Sequence, residues 1–287
     1  MVNRYFSAII TYNPDMNWLL RNISSIAGQV EYLLIVDNGS NNASNIRNAV
    51  NGNEKIELIE NNENMGIAYA LNQIMEVGVR KGYQWVLTLD QDCECRMDVI
   101  SEIVRHSELY ENDKVGIFAA RMVDVNLREE DQVTANTGAE EAFMAITAGS
   151  MTNIEAVQAI GGFANELFID YVDFDICIRL RHSGYKIINV KSAKIEHELG
   201  QYCYKKVLGK TLRSSNHSPL RRYYIYRNYI NLLRKFRKIE PVWLKLDGTG
   251  LIRGFIIMMV VEKQKIKKAT YILRGVCHGI ISRYGKL

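Results

Sequence analysis

The stretch Gln84-Trp85-Val86-Leu87-Thr88-Leu89-Asp90-Gln91-Asp92 decides how the rest of the chain is read. Trp85 to Leu89 is a nearly unbroken apolar run of strand formers, preceded by Gly82 and followed by charge, which predicts a strand covered on both faces. Strands of that kind sit in the middle of open α/β sheets, whose ligands bind outside the carboxyl ends. Asp90 and Asp92 stand at that end with one residue between them, so an extended backbone turns both to the same side. Two carboxylates so placed repel each other unless a cation joins them, and their hard oxygens suit Mg²⁺ or Mn²⁺ carrying a diphosphate. The plainer alternative is a solvated acidic turn after a strand.

Upstream, Tyr5 to Thr11 predicts a first strand, and Asn13-Pro14 a turn that starts a helix at Asp15. Met16, Leu19, Leu20, Ile23 and Ile26 recur at helical spacing until Gly28. Glu31 to Val36 is a second strand ending in Asp37-Asn38-Gly39-Ser40. Asp37 either faces the ligand crevice, where such residues bond a ribose or base, or belongs to an Asx turn made by Asp37 or Asn38. Ile56 to Ile59 reads as a third strand. Met65 to Val79 reads as a helix whose Gly66 and Ala68 allow close approach to a phosphate or to the neighbouring strand. With a helix over Asp98 to Ser107, four strands alternate with helices across the first ~110 residues, the pattern of a doubly wound nucleotide-binding half. No G-x-G-x-x-G follows the first strand and no P-loop lysine is present, which disfavours dinucleotide cofactors and ordinary ATPase chemistry.

Downstream, Val115 to Ala120 and Ala142 to Thr147 are expected strands, Val123 to Thr137 a loop, and Ile154 to Ile160 a helix ending at Gly161-Gly162-Phe163. The segment Asp170-Tyr171-Val172-Asp173-Phe174-Asp175 carries three carboxylates, two of them in the first turn of a helix that continues through Ile176 and Leu180. It is either an acidic helix start or the source of a general base facing the crevice. Tyr185 to Val190 is a further strand. His197 follows between two glutamates, as a surface residue or a metal ligand.

Composition is that of an ordinary globular protein, 47% hydrophobic and 24% charged over 287 residues. The five cysteines show no C-x-x-C pair, pointing to free thiols in a reducing compartment. Residues 1–10 lack a basic segment followed by a long apolar run, so no secretory signal is expected. Net charge is +4, but residues 201–287 hold 20 Lys and Arg against three acids, +17, and residues 1–200 hold 16 against 29, −13. The basic end fits an anionic surface. Within it, Leu220 to Lys238 sets an aromatic helical face beside bases. Gly250 to Val261 is apolar but too short to span ~30 Å of hydrocarbon, and Lys263, Lys265, Lys267 and Lys268 follow. A helix in the membrane interface fits, with a homo-oligomer contact or core helix as the alternative; nucleic acid is the weaker partner.

Taken in order, Thr11-Tyr12-Asn13-Pro14, Val36-Asp37-Asn38-Gly39-Ser40, Asn64-Met65-Gly66-Ile67-Ala68-Tyr69-Ala70-Leu71-Asn72, Asp90-Gln91-Asp92, Gly161-Gly162-Phe163, Asp173-Phe174-Asp175-Ile176-Cys177-Ile178-Arg179 and His197-Glu198-Leu199-Gly200 resemble the family 2 inverting glycosyltransferases. More narrowly they are similar to bacterial rhamnosyltransferases of surface-polysaccharide synthesis. The resemblance covers roughly residues 5–235. It implies a GT-A fold: an α/β, Rossmann-like nucleotide-binding half (1–110) and an acceptor half (111–215) on a mixed central sheet flanked by helices, then a basic helical region (216–287). It implies that Thr11, Tyr12, Asp37, Asn64, Gly66 and Asp90 line the nucleotide, and that Asp92 with Asp90, joined by His197, holds Mg²⁺ or Mn²⁺. It places Asp173 at the base position, although the family more often has Glu-Asp where this chain has Val172-Asp173, so Asp170 is the other carboxylate to weigh. The donor implied is dTDP-rhamnose, or another UDP- or dTDP-hexose. The acceptor implied is a lipid-linked saccharide, and the place is the inner face of the cytoplasmic membrane. A non-catalytic nucleotide-binding module is the competing reading. A nucleotidyltransferase needs a Gly-rich basic loop that Thr11-Tyr12-Asn13-Pro14 does not supply.

Overall fold

The computed structural model describes residues 2–124, 138–197, 202–207 and 209–287. The chain forms two compact units: residues 1–165 with 173–199, and residues 166–172 with 200–287. The hairpin formed by Cys203–Val207 and Lys210–Ser214 falls in the second of these units.

In the first unit, β1 (Tyr5–Thr11), β2 (Leu33–Asp37), β3 (Ile56–Glu60) and β4 (Trp85–Asp90) run parallel in the order β3-β2-β1-β4. The helices α1 (Met16–Ala27), α2 (Ala43–Val50) and α3 (Ile67–Lys81) make the crossovers. Alternate residues of β1 serve opposite faces: Ile9 joins the core of Leu19, Ile23, Ile35, Leu87 and Ile103, while Phe6 lies against Gly78 of α3. Each fully buried side chain of this kind contributes about 1.5–3 kcal/mol of transfer free energy. Beyond β4 the sheet turns mixed. The strands are β5 (Cys93–Cys95), β6 (Val115–Asp124), β7 (Ala139–Glu141), β8 (Ser150–Asn153) and β9 (Lys186–His197), with helices α4 (Val99–Ser107), α5 (Ile154–Ala159) and α6 (Val172–His182) between them. β8 runs antiparallel to β4 and β6, and β9 is parallel to β6 and antiparallel to β5 and β7.

Three sequence expectations change. Ala142 to Thr147 is not a strand. Ala142 N–H still reaches Ile187 O of β9 at 2.8 Å, but further on side chains enter: Ala145 meets the Cys177 thiol, and Thr147 meets Thr88 and Asp173. β9 runs past Val190 to His197, bulged where its register with β6 shifts at Ala120/Arg121. α2, which the sequence reading passed over, buries only Ile46 and Val50, too few apolar positions to announce a helix. The expected loop Val123–Thr137 lies from residue 125 onward outside the described residues, as do Glu198 to Gly200.

The second unit contains β10 (Cys203–Val207), β11 (Lys210–Ser214), α7 (Pro219–Phe236), α8 (Pro241–Val261) and α9 (Lys265–Ile280). Ser218 caps α7 by accepting from Arg221 N–H at 3.2 Å. Tyr226, Met258 and Ile272 pack together from the three helices. Glu262, 1% exposed, binds Arg222 at 2.6 Å, Lys268 and Ser214, so one carboxylate joins four elements. Among the described residues no helix is long and apolar enough to cross a membrane.

Candidate active site

The four parallel strands end in register. Ile10 pairs with Asp90, and Thr11 pairs with Asp37. Asp37 and Asp90 thus flank the end of β1, about 10 Å apart by strand spacing. The turn after β2 is bonded to itself: Asp37 Oδ1 accepts from the hydroxyls of Thr11 (3.0 Å) and Ser40, and Oδ2 accepts from Ser40 N–H at 3.1 Å. Asp37 is 1% exposed, and three of the roughly four acceptor positions of a carboxylate are taken. The turn-forming reading of Asp37 is thus the one its bonds describe, at the carboxyl end of β2. Gly39, at φ +82°, allows this turn to lie on the 63–64 backbone, where a Cβ would sit 2.4 Å from the Glu63 carbonyl carbon.

Asn38, which the sequence offers only as an Asx-turn former, is a hub. Its Oδ1 accepts from Met65 N–H (3.0 Å) and Asn61 Nδ2 (3.2 Å), and its Nδ2 donates to Gly66 O (3.1 Å). Asn64 Oδ1 accepts from Gly66 N–H at 2.9 Å. Gly66, with φ 90° and ψ 161°, has a backbone that only glycine adopts readily, and it brings the amino end of α3 to this turn. Tyr12 is the exposed member, 47% accessible, with its N–H donating to Gln91 Oε1 at 2.8 Å. Gln91 thereby ties the Asp90-Gln91-Asp92 turn to β1, and Asn22 Nδ2 ties it to α1 through Asp90 O at 2.7 Å.

Asp92 and His197 meet because β5 pairs with the far end of β9, Cys93 opposite His197. His197 Nε2 lies 3.2 Å from Asp92 Oδ1. Burial raises the Asp92 pKa, but the hydrogen bond and charge of His197 outweigh it, and the carboxyl is held below the usual range. Among the described residues, Asp92, Cys93 and His197 form a group that could hold a metal ion. Burial, and then the Asp90 charge, pushes the Cys93 thiol far up from its ordinary value. The Asp92 carboxylate oxygen and the His197 imidazole nitrogen in that group are donors that fit Mn²⁺ and would leave positions open for phosphate. Asp90 is not in that group, while Cys93 is; long-range strand register brings Cys93 there, and no local motif could have signalled it.

Asp173, in the first turn of α6, accepts from Thr147 N–H at 3.1 Å. Thr147 O in turn accepts from the Thr88 hydroxyl at 2.6 Å. Thr88 lies two residues before Asp90 on β4, so the carboxylate is tethered to the strand that opens the site. Asp175 is 1% exposed and held by Arg179, whose Nε lies at 2.6 Å, which makes it a helix-stabilising residue. Asp170, in the second unit, pairs with Arg221 at 3.1 Å. A cavity of about 540 Å³ lies at the opposite, amino ends of β4 and β6, lined by Trp85, Val115 and Tyr185, and holds none of these groups.

A family model described as Glycosyl transferase family 2 matches residues 8–155. The chain is similar to a dTDP-rhamnosyl transferase, RfbF, of Shigella flexneri, at 30% identity over 283 residues, 93% of this chain and 92% of that one. It is also similar to the crystal structure of GalNAc-T7 with UDP, GalNAc and Mn²⁺: TM-score 0.61, 13% identity, 98% of this chain but 57% of that one. A third match is S. aureus TarS 1–349 in complex with UDP-GlcNAc: TM-score 0.56, 11% identity, 98% of this chain and 73% of that one. At those identities the structural matches carry the fold, which is GT-A, with the mixed central sheet and flanking helices that the sequence resemblance implied.

Proposed function

Since the chain belongs to glycosyl transferase family 2, we propose that it is an inverting, metal-assisted transferase that moves L-rhamnose from dTDP-L-rhamnose onto a lipid-linked saccharide in surface-polysaccharide synthesis. The observation that carries this reading is the gathering of Asp37, Asp90, the Asp92–His197 pair and the Thr88-tethered Asp173 at the carboxyl ends of one sheet. The 30% identity to a dTDP-rhamnosyl transferase along nearly its whole length supports the choice of donor.

In this reading the Tyr12 ring, the Asn64-Gly66 turn and the free acceptor position of Asp37 bind the nucleoside. Asp92 and His197 hold the metal, with Asp90 beside them. When bound, the divalent ion supplies positive charge that offsets the charge developing on the departing nucleoside diphosphate. Asp173 accepts the proton of the acceptor hydroxyl as its oxygen bonds to the anomeric carbon. The bond from that carbon to the diphosphate oxygen breaks on the opposite face, and configuration inverts. Thr147 N–H, donating to Asp173 Oδ1 at 3.1 Å, helps fix the direction of that carboxylate.

The acceptor's lipid places the enzyme on an anionic membrane surface, on the cytoplasmic side, and the second unit supplies a face for it. Leu246, Ile252 and Ile256 of α8 and Ile266 and Leu273 of α9 are exposed, with Arg253, Lys263 and Lys267 among them. The test of the whole reading is turnover of a nucleotide-sugar panel, with UDP-hexoses beside dTDP-rhamnose, in Mn²⁺ and after EDTA. Metal-dependent turnover with dTDP-rhamnose foremost is the expected result; no turnover of any donor together with no nucleotide affinity overturns it.

A further inference from the structure

We propose that Gln73 is a positioning residue for donor binding: through Asn61 it fixes which way the Asn38 amide points, and Asn38 shapes the Asn64-Met65-Gly66 turn. All of these residues belong to the first unit. The proposal rests on the reading of that turn as part of the nucleoside site.

The connection from β3 to α3 has few apolar contacts to hold its shape. Residues 61–66 read Asn-Asn-Glu-Asn-Met-Gly, and the one large apolar side chain among them, Met65, is 41% exposed. Gly66 brings no side chain at all, and its φ of 90° and ψ of 161° lie where little but glycine goes. Such a backbone keeps a single course only if its polar groups are fixed from outside. Asn64 Oδ1 takes one of them, the Gly66 N–H. Asn38, 3% exposed, takes two more by accepting from Met65 N–H and donating to Gly66 O.

A side-chain amide can do this in one orientation only, because exchanging its oxygen and nitrogen would set donor on donor and acceptor on acceptor. Asn38 Nδ2 also reaches Asn64 Oδ1 at 3.3 Å, and Asn38 Oδ1 also accepts from Asn61 Nδ2 at 3.2 Å, which engages all four of its hydrogen-bonding positions. Asn61 Nδ2 donates in addition to Gln73 Oε1 at 3.0 Å, and Gln73 Nε2 returns a bond to Asn61 Oδ1 at 2.9 Å. Turning Asn61 over would press its oxygen against Asn38 Oδ1 and Gln73 Oε1 together. The Asn61 backbone is fixed as well, its N–H donating to Asp37 O at 2.8 Å. Gln73 stands on α3 two helical turns beyond Gly66. The three amides therefore form a relay with one direction, which braces the turn between the end of β3 and the body of α3.

The experiment compares Gln73→Glu, Asn38→Asp and the double variant in the full chain. It reads affinity for dTDP in Mn²⁺ and for Mn²⁺ alone by calorimetry, KM and kcat for dTDP-rhamnose turnover, and the unfolding midpoint. Gln73→Glu keeps the size but sets an acceptor opposite Asn61 Oδ1. It should weaken dTDP binding and raise donor KM about five- to tenfold, the scale of one net hydrogen bond. Mn²⁺ affinity and kcat should stay within about twofold, the pattern of binding lost equally in ground and transition states. Asn38→Asp, which sets an acceptor against Gly66 O, should weaken dTDP binding at least as much. On that background Gln73→Glu should cost less than about twofold more, because the amide through which it acts is already lost, whereas independent residues would multiply. If Gln73→Glu does not fold, Gln73→Met, similar in size and without a donor, carries the same test. Wild-type dTDP affinity in the Gln73 variant overturns the positioning role alone. Multiplying effects in the double variant, or Mn²⁺ and dTDP affinity falling together, also overturn it. A wild-type protein with no affinity for dTDP removes the nucleoside reading and this inference with it.

Discussion

The imidazole Nε2 of His197 stands 3.2 Å from Asp92 Oδ1, brought there by the antiparallel register of Cys93 with His197. A carboxylate and an imidazole on neighbouring strands could supply two ligands to a metal ion, and an imidazole ligand favours Mn²⁺ over Mg²⁺. Asp92→Asn and His197→Ala should each weaken Mn²⁺ binding ~10–100-fold, measured by calorimetry with and without dTDP. His197→Ala should also narrow the preference for Mn²⁺ over Mg²⁺. Unchanged Mn²⁺ affinity in both variants would place the metal elsewhere.

The hydroxyl of Thr88 reaches Thr147 O at 2.6 Å, and Thr147 N–H reaches Asp173 at 3.1 Å. Thr88→Val keeps the shape but removes one of the two bonds to Thr147 O, which retains Ser150 N–H at 3.2 Å, at a cost of about 0.5–1.5 kcal/mol in stability. Transfer should slow while dTDP binding holds, because the shorter of the hydroxyl's two bonds goes to the peptide that orients Asp173 and the longer, 3.4 Å, to Ser150 O. Equal losses in binding and rate would show the tether to be purely structural.

Much of this could be read from the chain. Strands buried on both faces must be continuous apolar runs, so β1, β2 and β4 announce themselves, and the carboxylates that end them stand out. What could not be read is set by pairing across long separations. Nothing local tells Cys93 that it will face His197, or tells Ala142 to Thr147 that its later polar groups will bond Thr88, Asp173 and Cys177 in place of a strand. The left-handed backbone of Phe168, Asp170 and Tyr171 is equally hidden, because their side chains argue against it and only hydrogen bonds from Arg227 and Asn228 explain it.

Glu262 gives the second unit an acid-sensitive joint. Burial raises its pKa, but bonds from Lys268 and Ser214 and the charge of Arg222 outweigh that and leave it below 4.5. A depressed carboxylate stabilises fully above its unfolded pKa and loses that contribution as pH falls through the folded value. His217 adds to the same trend: burial, then Arg221 and Arg222, lower it from 6.5 to about 4, so the unfolded chain binds the extra proton between those values. Urea unfolding should therefore show stability falling below pH 6.5 and again below 4.5. Glu262→Gln, which leaves two buried cations facing a neutral amide, should cost about 3–5 kcal/mol at pH 7 and flatten the profile below pH 4.5. An unchanged urea midpoint would contradict the role.

Ile252 and Ile256 are 63% and 58% exposed on α8, beside the basic residues of the same unit. Co-sedimentation with vesicles of anionic lipid should fall with Ile252→Asp/Ile256→Asp and with added salt, whose screening length is about 8 Å at physiological strength. Binding that ignores both changes would remove the membrane face. A shift in the protein's mass in solution with the same pair of substitutions would assign α8 to self-association.

The most direct measurement is sugar transfer by Asp173→Asn beside the wild-type protein in Mn²⁺, with dTDP affinity measured on the same samples. A general base of this kind supplies about 10²–10⁴ in rate. The account predicts a loss of that size with nucleotide affinity unchanged. Transfer by Asp173→Asn at the wild-type rate would contradict it.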